Sequence, residues 1–325
     1  MEFAKKALII PALAAWILFC LRPNSCPLSA QGLVSLEESA CQSLDKGDIE
    51  EALKLIQKAL GVNPDNLNAL LYLGIALYMK NDMESAAEKF VKIEREVDRM
   101  IGASRPFGDQ VTFTELGMDR KAERLFSQER RGLLYFCRGL SMKEARDWKN
   151  AEKKFKEALK QKYDEQAVRL HLFDISIKKQ DLKAAAEQLS DLKRIREESE
   201  LSVFLDGYLR YREGDSAGAL ASFQKLAPTN TAAKNNVALL YYNSGDYGRA
   251  RQIWEEILSV NPEDREAQIN IGRASFHLGE IEKAQECFNQ AGIKLPLEKA
   301  SPQKIGLTYE GLLKELKFDL MCQVR

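Results

Sequence analysis

Residues 235–257 read NNVALLYYNSGDYGRARQIWEEI, and the pattern in this stretch recurs along the chain. A turn at Gly245-Asp246 leads to Ala250, and a bulky residue, Trp254, follows four residues after that alanine. Residues four apart lie on one face of a helix. The stretch therefore predicts a helix, a short turn and a second helix whose small and bulky residues share one face.

The pattern occurs seven times, and each copy contains a marker alanine. These alanines are Ala52, Ala86, Ala151, Ala185, Ala219, Ala250 and Ala284. Four of the intervals between consecutive marker alanines have the same length, and the interval from Ala52 to Ala86 is one of them. The interval from Ala219 to Ala250 is slightly shorter. Ala86 and Ala151 are separated by nearly twice the common spacing, which leaves room for one degenerate unit. Recurrence at this period predicts a repeat protein.

A small residue precedes the marker alanine by twelve positions in most copies. These residues are Ala40, Gly74, Gly139, Gly207, Ala238 and Gly272. Small residues on both helices of a pair allow the two helices to approach closely. A single pair cannot bury its own apolar faces, so we expect the units to stack.

These copies resemble the tetratricopeptide repeat (TPR) over roughly residues 33–296. The resemblance implies an all-α fold: a right-handed α-solenoid of antiparallel helix pairs (TPR superhelix) with a C-terminal capping helix. Scarce glycine and proline, 19 and 9 residues, independently favour helix. We divide the chain into a signal peptide or anchor (1–30), TPR-like repeats 1–2 (31–98), an irregular insertion or degenerate repeat (99–130), repeats 3–7 (131–296) and a capping helix (297–325).

The N-terminus differs from the rest of the chain. Lys5 and Lys6 precede an apolar stretch over 7–21, which is shorter than the roughly 20 residues that a bilayer span needs. A basic start, a short apolar centre and the small residue Ala30 are typical of a signal peptide. We expect an exported protein, periplasmic or envelope-associated. The alternative is a membrane-anchored cytosolic adaptor, with any membrane association through residues 7–21.

The residues that usually carry chemistry do not cluster. The two histidines, His171 and His277, lie three repeats apart, and no common catalytic or nucleotide-binding motif is present. We expect no enzymatic activity, no cofactor, no metal site and no small-molecule substrate. Lys+Arg and Asp+Glu number 48 each, so no electrostatic argument favours nucleic acid. Two charges, Arg138 and Asp206, fall where apolar residues are usual, and we expect their side chains to reach water.

In the TPR family, the first helices of successive repeats line a groove that takes a peptide or helix of a partner. Positions carried over from the family give the candidate partner-binding residues Tyr78, Phe204, Tyr208, Tyr211, Asn235, Tyr242, Arg273 and Phe276. The alternative is that some of these aromatic residues pack between repeats. No repeat has the lysine and asparagine of the carboxylate clamp found in chaperone-binding members. The resemblance implies a protein–protein interaction scaffold, and we expect a role in envelope or complex assembly.

Overall fold

The computed structural model describes residues 33–102, 126–197, 199–294 and 296–301. Regular secondary structure in these ranges is entirely helical, which confirms the all-α prediction. The helices are α1 (Leu33–Asp45), α2 (Ile49–Val62), α3 (Leu67–Met79), α4 (Met83–Gly102), α5 (Gln128–Glu144), α6 (Trp148–Lys160), α7 (Glu165–Lys178), α8 (Leu182–Ile195), α9 (Glu200–Arg212), α10 (Ser216–Leu226), α11 (Thr231–Asn243), α12 (Tyr247–Val260), α13 (Arg265–His277), α14 (Ile281–Gln290) and α15 (Leu297–Ala300).

The helices form two compact units that divide between Asp181 and Leu182. In the first unit, α1 packs on α2, α3 on α4 and α5 on α6, and each pair also contacts the next helix along the chain. In the second unit, α9 packs on α10, α11 on α12 and α13 on α14, again with contacts from pair to pair. Three helix–turn–helix pairs therefore stack in each unit, as the repeat pattern predicted, while α7 belongs to the first unit and α8 to the second.

The turn inside each copy of the repeat has a recurring backbone geometry. The residue before the acidic residue of the turn has a positive φ, between 60° and 90°, at Gly47, Asn81, Arg146, Gln180, Gly214, Gly245 and Gly279. The left-handed conformation ends the first helix, and in most copies the acidic side chain then caps the second. For example, Asp215 Oδ1 accepts a hydrogen bond from the Gly218 N–H at 2.8 Å. Such caps satisfy backbone donors that have no partner inside the helix.

The small residues of the first helices lie against aromatic rings of the second helices. A Cβ added to Gly74 would lie 2.5 Å from the ring of Phe90, and one added to Gly139 would lie 2.7 Å from the ring of Phe155. Both rings are fully buried. The close approach that the sequence predicted is therefore present, and the ring takes the space that a side chain would need.

Several predicted features lie outside the described residues. These are the signal peptide or anchor, most of the irregular segment 99–130, and the capping helix beyond residue 301. The first part of the irregular segment is helical, because α4 continues to Gly102. Among the helices described, none is both long and apolar enough to cross a membrane.

Candidate partner-binding surfaces

The eight predicted partner-binding residues separate into two groups by exposure. Phe204, Tyr208 and Tyr242 are buried, with 1%, 5% and 0% of their surface exposed. The partly exposed residues are Tyr78, Tyr211, Asn235, Arg273 and Phe276. The alternative interpretation of the sequence was that some of these aromatic residues pack between repeats. The buried residues have surroundings of that kind. The assignment of these residues to partner binding stays a prediction.

Four of the eight residues occupy one position in their repeats. Tyr78, Tyr211, Tyr242 and Phe276 each lie in the last turn of a first helix. The last three follow one another at the same spacings as the marker alanines of their repeats. In the second unit, this position therefore carries an aromatic ring in each successive first helix.

An aromatic cluster surrounds Tyr242 in the second unit. Its ring centroid lies 5.1 Å from that of Tyr247, 6.0 Å from that of Trp254 and 5.4 Å from that of His277. His277 stacks on Tyr247 with ring centroids 4.6 Å apart, and its ring is nearly perpendicular to that of Phe276, with centroids 5.5 Å apart. The cluster thus extends from a buried tyrosine to the partly exposed rings of α13. Aromatic rings in such positions contribute strongly to protein interfaces.

Asn235 lies beside this cluster and is held by a buried tryptophan. The Trp254 indole N–H donates to Asn235 Oδ1 at 2.7 Å. This bond links α11 to α12 and orients the Asn235 amide.

Arg273 is half-buried on α13. Its Nε donates to the Ala300 carbonyl at 2.9 Å, and its Nη1 donates to Asn270 Oδ1 at 2.8 Å. Burial lowers the pKa of the Arg273 guanidinium. No carboxylate in the described part of the chain forms an ion pair with it. The cation is therefore held mainly by neutral oxygen acceptors.

Asp206 reaches water only in part, and its carboxylate is paired with neighbouring side chains. Only 19% of its side chain is exposed, and it accepts from Lys193 at 2.7 Å, from Arg210 at 2.6 Å and from the Ser222 hydroxyl at 3.2 Å. Burial opposes ionisation, but the hydrogen bonds from Lys193 and Arg210 outweigh it and hold the pKa of Asp206 below its usual range. The four residues of this group line a cleft of about 630 Å³ between α8, α9 and α10.

Arg138 is also paired rather than free in solvent. Its Nε donates to Glu94 Oε2 at 2.9 Å, and Glu94 also accepts from Lys154. All three side chains are largely buried. The two unusual charges in the sequence therefore belong to ion networks that join neighbouring helices.

A third buried ion pair, between Lys143 and Asp174, was not predicted from the sequence. Lys143 of α5 pairs with Asp174 of α7, and its Nζ lies 3.1 Å from Nδ1 of His171. The His171 ring stacks on Phe155 with centroids 5.2 Å apart. Lysine and aspartate are so frequent in this chain that no spacing marks these two residues as partners.

The described residues include three cysteines and many acidic side chains, which are the usual metal ligands and nucleophiles. No cluster of three histidine, cysteine or acidic side chains there could hold a metal ion. Cys41, Cys137 and Cys287 are free thiols, and burial raises the pKa of Cys41 to about 11. A thiol with so high a pKa stays protonated at neutral pH and is a poor nucleophile.

A sequence profile described as "Tetratricopeptide repeat" matches residues 40–97 and 237–293, so one match lies in each compact unit. The chain contains tetratricopeptide repeats. The copies at residues 131–226 are identified by the turns and small residues that they share with the matched copies. This TPR architecture is typical of protein–protein interaction and is generally non-catalytic.

Solved TPR structures resemble this fold over most of the chain. A tetratricopeptide repeat protein from Parabacteroides merdae is similar over 90% of this chain and 100% of its own, with a TM-score of 0.59 and 15% identity. A chain of the APC/C hetero-tetramer Cut9–Hcn1 is similar over 93% of this chain and 50% of its own, with a TM-score of 0.53 and 15% identity. At this identity the likeness concerns the fold alone.

Curated relatives match only a short part of the chain. Aspartyl/asparaginyl beta-hydroxylase of Homo sapiens is 37% identical over 75 residues, which are 22% of this chain and 9% of the hydroxylase. The mouse protein of the same name is 33% identical over 81 residues. The chain spans about a tenth of the length of the curated relatives it matches. The match therefore transfers no activity.

Proposed function

We propose that this chain is a non-catalytic scaffold that binds a peptide or helix of a partner protein along the first helices of its TPR units. The observation that carries the proposal is the aromatic position in the last turn of the first helices. In the second unit, Tyr211 and Phe276 are partly exposed at this position, and Tyr242 between them in the sequence is buried. Phe276 lies beside the buried aromatic cluster, and partly exposed aromatic residues such as Phe276 and Tyr211 are suited to an interface.

The proposed role is in assembly of an envelope or of another multiprotein complex after export. The basic and apolar N-terminus supports export, and the absence of a carboxylate clamp disfavours a cytosolic chaperone as partner. A fusion of residues 1–35 to an export-dependent reporter tests this part. An active reporter is expected, whereas a reporter that stays cytosolic and inactive refutes export. Recovery of residues 1–30 in the mature protein by mass spectrometry supports the anchored alternative.

Crosslinking and affinity capture from the native cell envelope test the binding role. The double variant Tyr211→Ala with Phe276→Ala is expected to lower capture of the partner at least about ten-fold, because aromatic residues at interface centres carry about 2 kcal/mol or more. Since both side chains are partly exposed, helicity by circular dichroism should change little. Tyr241→Ala is the matched control, because Tyr241 is a partly exposed tyrosine of α11 outside the predicted set. Equal capture by the control and the double variant contradicts the assignment.

A further inference from the structure

The segment that follows α14 contacts two of the predicted partner-binding residues. The Ala300 carbonyl accepts from Arg273 Nε at 2.9 Å, and the Ser301 hydroxyl donates to the Arg273 carbonyl at 3.1 Å. Ser301 also hydrogen-bonds the side chain of Tyr242, one repeat earlier. The segment therefore reaches across the first helices of two repeats and does more than cover the end of the last one.

This contact removes part of the predicted surface from solvent. Ala300 and Ser301 are each 4% exposed. Ala300 lies in an apolar cluster with the buried ring of Phe288, against which the partly buried Phe276 and Leu297 also pack. Arg273 and Phe276 are thus only partly exposed in a structure where residues 297–301 already cover part of this surface.

The chemistry of the contact is that of peptide recognition through the main chain. Arg273 donates to a backbone carbonyl, which any polypeptide offers, and a small side chain lies at the apolar position. The guanidinium is half-buried and forms no ion pair with a carboxylate in the described residues. A carboxylate at the place of the Ala300 carbonyl would form a charge-assisted hydrogen bond, which is about twice as strong as a neutral one.

We propose that residues 297–301 are an internal occupant of the docking surface formed by Tyr242, Arg273 and Phe276, and that a partner must displace them to bind. The partner segment that fits carries a small apolar residue at the Ala300 position and an acidic group within reach of Arg273. The inference rests on the proposed function, since it takes this surface to be the partner's site.

Tethering makes the occupant an effective competitor. A segment joined to its site by a few residues has an effective concentration in the millimolar range. A partner then binds with an affinity reduced by the fraction of molecules in which the surface is open. Loss of the internal contact should therefore increase binding without any change in the surface itself.

The test uses a fluorescent peptide with the sequence of residues 293–301, IKLPLEKAS, and the full chain. Ala300→Asp places a carboxylate in the apolar cluster and is expected to release the segment. This variant should bind the peptide at least ten-fold more tightly, by fluorescence anisotropy, than the unmodified chain. Lys299→Asp is the matched control, because it introduces the same carboxylate at the neighbouring position, where the side chain is exposed. The control should bind the peptide as weakly as the unmodified chain.

Two results overturn the proposal. One is equal binding of the peptide to the unmodified chain and to Ala300→Asp, and the other is no binding to either. Arg273→Gln provides a second measurement if Ala300→Asp reduces helicity. This change should speed amide hydrogen exchange in residues 297–301 at least ten-fold, and unchanged exchange there also refutes the internal contact.

The two proposals fail in different ways. If Phe276→Ala lowers capture of the envelope partner but the peptide experiment is negative, the scaffold function stands and the internal occupant is refuted. If Ala300→Asp opens the surface to the peptide but Phe276→Ala leaves capture unchanged, the internal occupant stands and the partner binds elsewhere.

Discussion

The contact between Gly74 and Phe90 gives a direct test of packing inside a helix pair. A Cβ on Gly74 would lie 2.5 Å from a fully buried ring that cannot move without disturbing its neighbours. Gly74→Ala should therefore lower the free energy of unfolding by about 1–3 kcal/mol, as overpacked cores do. Urea denaturation followed by circular dichroism measures the change.

Gly61→Ala is the control for this substitution. Gly61 is an exposed glycine of α2 with no atom within 4 Å of the added Cβ. Alanine has a higher helix propensity than glycine, so this change should be neutral or stabilise by up to about 1 kcal/mol. If both variants lose the same stability, the ring contact is not the cause.

Asp206 should contribute stability that depends on pH. Because its pKa is lowered in the folded state, the contribution is complete above the unfolded value of about 3.9 and disappears as pH falls through the lower folded pKa. Asp206→Asn should cost about 1 kcal/mol at pH 7 and progressively less below about pH 4. Denaturation curves at pH 7, 5 and 3 measure this difference. A cost that is the same at all three pH values excludes the ion network as its source.

Single residues show where sequence reasoning succeeds and where it stops. The glycines at the close helix contacts follow from the spacing of small residues, and the structure confirms them. The burial of Tyr208 and Tyr242 could not be predicted in the same way. A repeat position indicates which face of a helix a residue occupies, but not how far the neighbouring helices and the segment at Ala300 cover that face.

The pair Lys143 and Asp174 joins α5 to α7 in the first unit. Both side chains are nearly buried, and His171 lies beside the ammonium group. Lys143→Met leaves a buried carboxylate without its cation and should destabilise the protein by about 3 kcal/mol. Addition of Asp174→Leu to this variant should restore much of the loss, because the unpaired charge is then absent. Thermal and urea denaturation of the single and double variants measure the effect.

Lys179→Met is the comparison for this pair. Lys179 contacts Glu152 at 2.8 Å, but both side chains are partly exposed to solvent. Exposed pairs contribute about 0–1 kcal/mol, so this variant should differ little from the unmodified protein. Equal losses in Lys143→Met and Lys179→Met would show that burial of the first pair has no energetic consequence.

The helices themselves were more predictable than the contacts between them. Acidic residues at the turns indicate where second helices begin, and the structure places caps at Asp48, Asp147, Asp215 and Asp246. The extension of α4 to Gly102 goes beyond the usual length of a repeat helix. The pairing of charges far apart in the sequence, such as Lys143 with Asp174, depends on side-chain geometry that no local pattern encodes.

The balance of charge over the full chain predicts its behaviour in solution. With 48 basic and 48 acidic residues and an isoelectric point near 6.8, molecules repel one another least near neutral pH. Solubility should therefore pass through a minimum close to pH 6.8 and rise at pH 5 and pH 9. Static light scattering across this range measures the change in attraction between molecules. A solubility that falls steadily from pH 9 to pH 5 contradicts the prediction.

The repeated architecture was the most predictable property of the chain, because seven similar copies leave few other folds. The division between Asp181 and Leu182 was not predictable, since the marker alanines continue across it with a constant spacing. The division falls at the turn of the fourth copy, between α7 and α8. The pattern describes residues along each helix and contains no information about which helices group into one compact unit.

The Phe90 ring occupies the space that a side chain at position 74 would need. This close contact also restricts how the repeats can diverge during evolution. Alanine at Gly74 is harmful while Phe90 is present, but it becomes acceptable once a smaller residue has replaced the ring. The two changes are therefore coupled, because a smaller residue at Phe90 alone leaves a cavity and alanine at Gly74 alone overpacks the core. The pairing of Ala238 with Trp254 in a sister repeat shows that different size combinations have been reached. Ancestry should thus appear in this protein as correlated changes at paired positions.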